Sequence, residues 1–478
     1  MRAIRTRQLF QNNLLTSTGV YGANGVATWI RDAVQGTNSI DCLWIGDSNT
    51  GFNGWGWADG WQHGLCQNGA PMYGSMIWVP WNSQANLGYR SNVFSSFSQN
   101  TGTGVVAGTG GTSGASAALK ATFGVGTGSL TIQGTAGTAP DFVDVPAART
   151  SPSQSSETAL WLFMRNIQTG SAAAIDATYA EPMPIGFNEA LIFRAQVNLR
   201  SGGTAKFTSR FANLSNGSLG TLGNPTQSTT TVSASTDSWD TYTHTLAADS
   251  TRFVYPATNS AGQFGVKVAI DGSGVGLANA VAQGTSVGLC SVYRAINGTA
   301  SSIMEYRGSA TLTQLATDIN QAKTGFCTTL LKETRERQIA AGGSGRVLIC
   351  IQGGVNSGDW SPSNPAAAVT AVESIKTDIK SAWSALGYPA ADLLFLFMVS
   401  HPIDAGDASL TVLRMYAQNY YASSSDTLFV NLNDIAPFTT ITANNWFDNL
   451  GNAHLDEITR GYEAISSRIV SNILRYSP

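Results

Sequence analysis

Four short polar motifs in this sequence carry the residue types that acyl transfer requires. They are Gly46-Asp47-Ser48-Asn49, Gly308, Gly354-Val355-Asn356 and His454. Acyl transfer needs a nucleophile, a base within hydrogen-bond reach and donors aimed at the developing oxyanion. Ser48 can attack, His454 can take its proton, and N–H groups of the first three motifs can hold the oxyanion. Each motif alone would equally suit a turn, because Gly, Asp, Ser and Asn are common turn residues.

The first three of these motifs follow predicted strands. The apolar run at 40–45 ends at the Ser48 motif, and from residue 301 the runs SSIMEY, RVLICIQ, DLLFLFMVS and TLFVNLN alternate with helical patterns. Continuous apolar strands alternating with amphipathic helices predict a parallel sheet covered on both faces. Functional residues of such sheets gather at the carboxyl ends of the strands. The last motif, His454, follows the fifth strand and precedes the last helical pattern.

The middle of the chain differs in composition and in its hydrophobic pattern. Residues 101–140 are rich in Gly and Thr, and short alternating runs such as LWLFMRNI, ALIFRAQVNLR and FGVKVAI follow Ala159. These runs predict an antiparallel, jelly-roll-like β-sandwich inserted into the α/β domain. We expect an N-terminal segment (1–37), the α/β domain in two pieces (38–68 and 300–478), a connecting region (69–157) and the sandwich (158–299).

The four motifs together resemble those of the SGNH, or GDSL-type, hydrolase family. The Ser block is Ile45 to Asn49, the Gly block fits YRGSATLTQL around Gly308, and the Asn block ends at Asn356. The His block fits HLDEITRGYEAI, which starts at His454. The resemblance covers about residues 38–68 and 300–478. Each motif is weak alone, but all four occur in the family's order.

The resemblance implies a three-layer α/β/α fold and serine esterase chemistry. Ser48 would be the nucleophile and His454 the base, with an oxyanion hole formed by the Ser48 and Gly308 N–H groups and the Asn356 amide. The family usually places an aspartate three residues before the histidine, where this chain has Gly451. Asp448, six residues before His454, is our candidate third member, and a Ser–His dyad oriented by a backbone carbonyl is the alternative.

Aromatic residues near the Ser48 motif are candidates for substrate binding. Trp55, Trp57 and Trp81 lie within 33 residues of Ser48 in sequence, and His401 follows a predicted strand. Tryptophan faces can stack on sugar rings, but large aromatic side chains more often pack in cores. We therefore interpret these four residues as substrate-binding candidates, with packing as the alternative.

The leading hypothesis is a carbohydrate acetylesterase, which removes acetyl or other short acyl groups from a sugar. The inserted sandwich, which looks like a carbohydrate-binding module, and the tryptophans favour sugar substrates. One alternative is a glycan-binding surface or phage-tail adhesion protein with a vestigial hydrolase site. Another is a lipid esterase, although the Gly/Thr/Ser-rich insertion offers no broad apolar lid.

Composition excludes several other classes of function. A net charge of −3 gives no support for nucleic-acid binding, and no apolar stretch is long enough to span a membrane. The five cysteines lack CxxC spacing, so we expect no metal and no cofactor. Only 12% of residues are charged, which favours an extracellular or virion-associated protein. The start of the chain has no evident signal peptide, which leaves a cytoplasmic location open.

Overall fold

The computed structural model describes most of the α/β part of the chain and the strands of the middle region. The described residues are 19–51, 56–70, 75–78, 90–91, 105–107, 122–124, 131–135, 138–145, 160–165, 191–198, 204–215, 218–219, 228–233, 239–246, 263–271, 285–294, 299–306, 308–324, 326–356, 364–405, 408–448, 454–456 and 460–476.

Strands and helices are numbered here in chain order. The strands are β1 (Val20–Gly22), β2 (Ile40–Gly46), β3 (Ser75–Trp78), β4 (Arg90–Ser91), β5 (Val105–Ala107), β6 (Thr122–Gly124), β7 (Thr131–Thr135), β8 (Thr138–Val145), β9 (Leu160–Arg165), β10 (Leu191–Asn198), β11 (Thr204–Ser215), β12 (Ser218–Leu219), β13 (Ser228–Ser233), β14 (Trp239–Leu246), β15 (Gln263–Asp271), β16 (Thr285–Arg294), β17 (Thr299–Tyr306), β18 (Val347–Gly353), β19 (Leu393–Val399) and β20 (Thr427–Val430). The helices are α1 (Asn24–Val34), α2 (Ser48–Gly51), α3 (Trp57–Gln67), α4 (Leu312–Ala322), α5 (Phe326–Ala340), α6 (Ala366–Ala385), α7 (Ala408–Tyr421), α8 (Leu432–Ile435), α9 (Phe438–Ala443) and α10 (Gly461–Arg475). None of these described helices is both long and apolar enough to cross a membrane.

A seven-stranded mixed sheet forms the centre of the α/β part. Its order is β1-β20-β19-β18-β2-β17-β4. The five strands from β20 to β17 are parallel, and β1 and β4 pair antiparallel at the two edges. The chain runs from β2 to β17 on one side and then to β18 on the other, so the strand order reverses at β2. Open α/β sheets bind ligands at the carboxyl ends of strands beside such a switch point.

Helices cover both faces of this sheet, as the predicted three-layer α/β architecture requires. On one face, side chains of β2, β18 and β19 pack against helices α4, α5, α6 and α7. On the other face, alternate residues of the same strands pack against α1, α3 and α10. The strands β2 and β18 are buried at every residue, which explains their nearly continuous apolar sequences. Residues 20–34, which we predicted to lie in a separate N-terminal segment, form β1 and α1 and belong to this core.

Helices α3 and α10 approach each other unusually closely because α3 carries glycine where they cross. A Cβ added at Gly60 would lie 2.7 Å from the backbone of Tyr462, and one at Gly64 would lie 2.7 Å from the backbone of Ser466. Glycine therefore permits a backbone-to-backbone contact that any larger residue would push apart. This contact fixes the start of α10 beside the carboxyl end of β2.

The middle region forms antiparallel sheets. One has the order β14-β10-β16-β8-β7, with β3 also paired to β16, and a second has the order β12-β11-β15-β9, with β13 also paired to β11. The predicted runs at 160–167, 190–200 and 264–270 correspond to β9, β10 and β15. The face-to-face packing of a sandwich stays a prediction. A further predicted run, at 251–257, lies outside the described residues.

Candidate active site

A sharp strand-to-helix turn presents Ser48 at the carboxyl end of β2. The strand ends at Gly46, and the four-residue helix α2 begins at Ser48. The Asp47 side chain accepts a hydrogen bond from the Asn49 N–H at 2.9 Å, which stabilises the turn. A Cβ at Gly46 would lie 1.9 Å from the Thr50 hydroxyl, so only glycine allows the chain to reverse this tightly.

A short antiparallel pairing places His454 beside this turn. The Asp456 N–H donates to the Trp446 carbonyl, Phe447 forms a bridge with Leu455, and the Asp448 N–H donates to the His454 carbonyl at 3.2 Å. The His454 Nε2 atom lies 2.9 Å from the Ser48 Oγ atom, although 406 residues separate them in sequence. This distance is that of a hydrogen bond between a nucleophile and its base.

The same pairing brings Asp448 to the other nitrogen of the imidazole. Its Oδ2 atom lies 3.5 Å from His454 Nδ1, a long contact for a hydrogen bond. Residues that face each other across an antiparallel pair are close, so Asp448 and His454 come together although six positions separate them in sequence. The geometry thus offers an alternative to the three-residue spacing that the resemblance implies. The role of Asp448 in orienting the ring stays a prediction.

Burial shifts the pKa of two titratable groups at the site, His454 and Asp47. Desolvation lowers the pKa of His454 below 6.5, while the Asp448 carboxylate acts in the opposite direction. Desolvation raises the pKa of the fully buried Asp47 to about 7, against hydrogen bonds from Asn49, Gln352 and the Val355 N–H. Neutral imidazole is the form that can accept the Ser48 proton, and a lowered pKa keeps it neutral to lower pH.

The three predicted oxyanion donors lie in neighbouring loops but do not form an open hole. The Ser48 N–H donates to the Gly308 carbonyl at 2.7 Å, so this donor is already engaged. The Asn356 amide donates to the Ala310 carbonyl at 2.9 Å, which uses one of its two N–H groups. No atom of the described residues lies within 4 Å of a Cβ built at Gly308, so this loop has open space around it. Binding an oxyanion through Ser48 would require the Gly308 carbonyl to turn away.

The aromatic candidates are not arranged for substrate stacking where the structure describes them. Trp57 is fully buried, and its ring contacts those of Tyr462 at 5.1 Å and His401 at 6.3 Å. The imidazole of His401 is likewise fully buried. Because neither side chain has an exposed face, packing explains both better than the substrate-binding role that we predicted. Trp55 and Trp81 lie outside the described residues.

Buried polar side chains to which the sequence assigned no role in the site connect its loops. With its amide nitrogen towards Asp47, Gln352 donates to Asp47 Oδ1 and to Thr50 Oγ1, both at 2.8 Å. The Tyr462 hydroxyl donates to Asn49 Oδ1 at 2.7 Å. A sequence signal existed for Gln352, because a polar residue ends the apolar strand VLICIQ. Among the described residues, no group of His, Cys, Asp or Glu is arranged to hold a metal ion.

Comparisons with known proteins give little beyond this geometry. No family model matches the chain, and no curated protein matches it. A family two carbohydrate esterase from Clostridium thermocellum, solved in complex with cellohexaose, is 12% identical over 60% of this chain and 89% of that chain, with a TM-score of 0.19. A family two carbohydrate esterase from Cellvibrio japonicus is 11% identical over 63% of this chain and 88% of that chain, with a TM-score of 0.15. Both TM-scores are too low for the similarity to support an argument about this chain.

Proposed function

We propose that this protein is a serine carboxylic-ester hydrolase. The observation that carries the proposal is the 2.9 Å contact between Ser48 Oγ and His454 Nε2. It lies where the strand order of the parallel sheet reverses, with Asp448 3.5 Å from the other ring nitrogen. A serine in a tight turn next to a largely buried imidazole is the arrangement that nucleophilic acyl transfer needs.

The reaction follows from this arrangement in two halves. His454 takes the Ser48 proton as the oxygen attacks the ester carbonyl, and the tetrahedral oxyanion turns towards the Gly308 loop and the Asn356 amide. Collapse of this intermediate breaks the ester bond, and His454 returns the proton to the departing alcohol. Water then attacks the Ser48 acyl ester by the same route and releases the carboxylic acid.

The substrate that we propose is a carbohydrate carrying acetyl or other short acyl groups. This part rests on the antiparallel β-strands inserted between β2 and β17 and on the low charge of the chain. The buried position of Trp57 removes one argument for sugar stacking. A substrate panel therefore has to test the carbohydrate and the acyl length separately.

The test is hydrolysis of p-nitrophenyl acetate by the wild type and by Ser48→Ala. We expect the wild type to release p-nitrophenol and the variant to lose at least about 10³-fold in rate, because the nucleophile is absent. The matched control is Ser384→Ala, which alters an exposed serine of α6 and should leave the rate unchanged. Wild-type protein without turnover on this ester or on acetylated oligosaccharides would contradict the proposal and favour a binding protein. Preference for long over short p-nitrophenyl esters would instead indicate a lipid esterase.

A further inference from the structure

The hydroxyl of Tyr462 connects the two loops that carry the nucleophile and the base. It donates a hydrogen bond to Asn49 Oδ1 at 2.7 Å and accepts one from the Leu455 N–H at 3.3 Å. Asn49 directly follows Ser48, and Leu455 directly follows His454. One oxygen atom therefore bridges the residues next to both reacting groups.

This hydroxyl is held from its own side by rigid packing. Tyr462 is 2% exposed and is the second residue of α10. At this point Gly60 of α3 allows the backbones of the two helices to come into contact. Its ring meets that of Trp57 edge-on at 5.1 Å. A side chain fixed in this way cannot follow the loops, so the loops must adopt the spacing that the hydroxyl imposes.

Spacing matters because the two loops come from opposite ends of the chain. Ser48 follows β2, whereas His454 lies in the antiparallel pairing that precedes α10, and their contact spans 406 residues. Displacement of a reacting group by about 1 Å can cost about 10²-fold in rate. A buried hydrogen-bonded bridge next to both groups is suited to prevent such a displacement.

We infer that the Tyr462 hydroxyl is a positioning group that sets the distance between Ser48 and His454, an inference that rests on the proposed function. Tyr462 would act through its hydrogen bonds to Asn49 and Leu455, each of which is next to a reacting residue. Loss of the hydroxyl should lower the rate of attack by Ser48 without changing how the ester binds.

The experiment compares Tyr462→Phe with the matched control Tyr476→Phe. The Tyr476 hydroxyl also bridges backbone groups, since it accepts from the Gly22 N–H at 3.1 Å and donates to the Gly22 carbonyl at 3.0 Å, at the other end of α10. We expect Tyr462→Phe to lower kcat on p-nitrophenyl acetate by about 10- to 100-fold, with little change in KM. The rate at which a fluorophosphonate labels Ser48 should fall by about the same factor. The control should change neither rate.

A second measurement does not depend on turnover. NMR signals of the His454 ring, assigned with His454→Asn, should shift in Tyr462→Phe and stay unchanged in Tyr476→Phe. Unchanged ring signals together with unchanged labelling in Tyr462→Phe would overturn the inference. If the wild type neither hydrolyses the ester nor labels, the proposed function fails, and the ring signals still test the positioning role. If Tyr462→Phe does not fold, Asn49→Ala removes the acceptor of the same hydrogen bond and takes its place.

Discussion

Replacing the buried Asp47 by asparagine should change how the stability of the protein depends on pH. The Asp47 carboxyl is fully buried next to Ser48, and desolvation raises its pKa to about 7. Hydrogen bonds from Asn49, Gln352 and the Val355 N–H lower the pKa in part but do not offset the desolvation. In the unfolded chain the carboxyl titrates near 3.8.

The sign and size of the effect follow from the difference between these two pKa values. Between pH 3.8 and 7 the folded chain holds a proton that the unfolded chain has lost, so the free energy of unfolding falls as pH rises. A shift of about 3 units corresponds to about 4 kcal/mol in total. About 2 kcal/mol of it is lost between about pH 5 and about pH 7, and little more above about pH 8. Asparagine carries no such proton, so Asp47→Asn should lack this loss.

Urea unfolding at a series of pH values, followed by tryptophan fluorescence, measures the effect. The free energy of unfolding of Asp47→Asn minus that of the wild type should rise by about 2 kcal/mol from about pH 5 to about pH 7. Asp426→Asn is the control, because burial would raise the pKa of Asp426 but hydrogen bonds and charges from Lys380, Thr427 and Lys376 hold it below its usual range. Its stability difference should stay constant above about pH 5, where the carboxylate is ionised in both states. A stability difference for Asp47→Asn that does not vary with pH would show that the buried carboxyl does not titrate near 7.

Three further predictions concern the base, its partner and the helix contact. Ester hydrolysis should fall as pH drops through the pKa of His454, with a midpoint below 6.5 because burial lowers that pKa. A pH profile of kcat/KM measures the midpoint, and a midpoint above 6.5 would contradict the effect of burial. Asp448→Asn should lower kcat by about 10²–10⁴-fold if the 3.5 Å contact orients the imidazole; an unchanged kcat would favour a Ser–His dyad. Gly64→Ala should lower the free energy of unfolding by about 1–3 kcal/mol, because its Cβ would meet the backbone of Ser466 at 2.7 Å. Thermal unfolding tests this. Gly308→Ala is the control, because no described atom lies within 4 Å of a Cβ at that position. Gly387→Ala is not a suitable control, because the φ of 72° at Gly387 penalises any side chain.

Much of the α/β fold could be predicted because its signals are local. The strands β2, β18 and β19 are buried on both faces, which makes their sequences nearly continuous apolar runs. Helix α4 buries Leu312, Leu315 and Ile319 at helical spacing and begins at the Thr311–Gln314 capping box. Such patterns depend on neighbours within a few residues. The strand order that reverses at β2 has no local signature, because it depends on which distant strands pair.

Residue types and their order along the chain are enough to predict which residues could act and that several of them follow strands of one parallel sheet. How these residues meet depends on contacts between segments that are distant in sequence. The antiparallel pairing of residues 446–448 with 454–456 brings Asp448 to His454, and the crossing of α3 and α10 puts the Tyr462 hydroxyl between the two loops. Packing also buried Trp57 and engaged the Ser48 N–H with the Gly308 carbonyl. Hydrophobic periodicity reports the environment of a single element, whereas a distance of 2.9 Å across 406 residues is set by the packing of several elements at once.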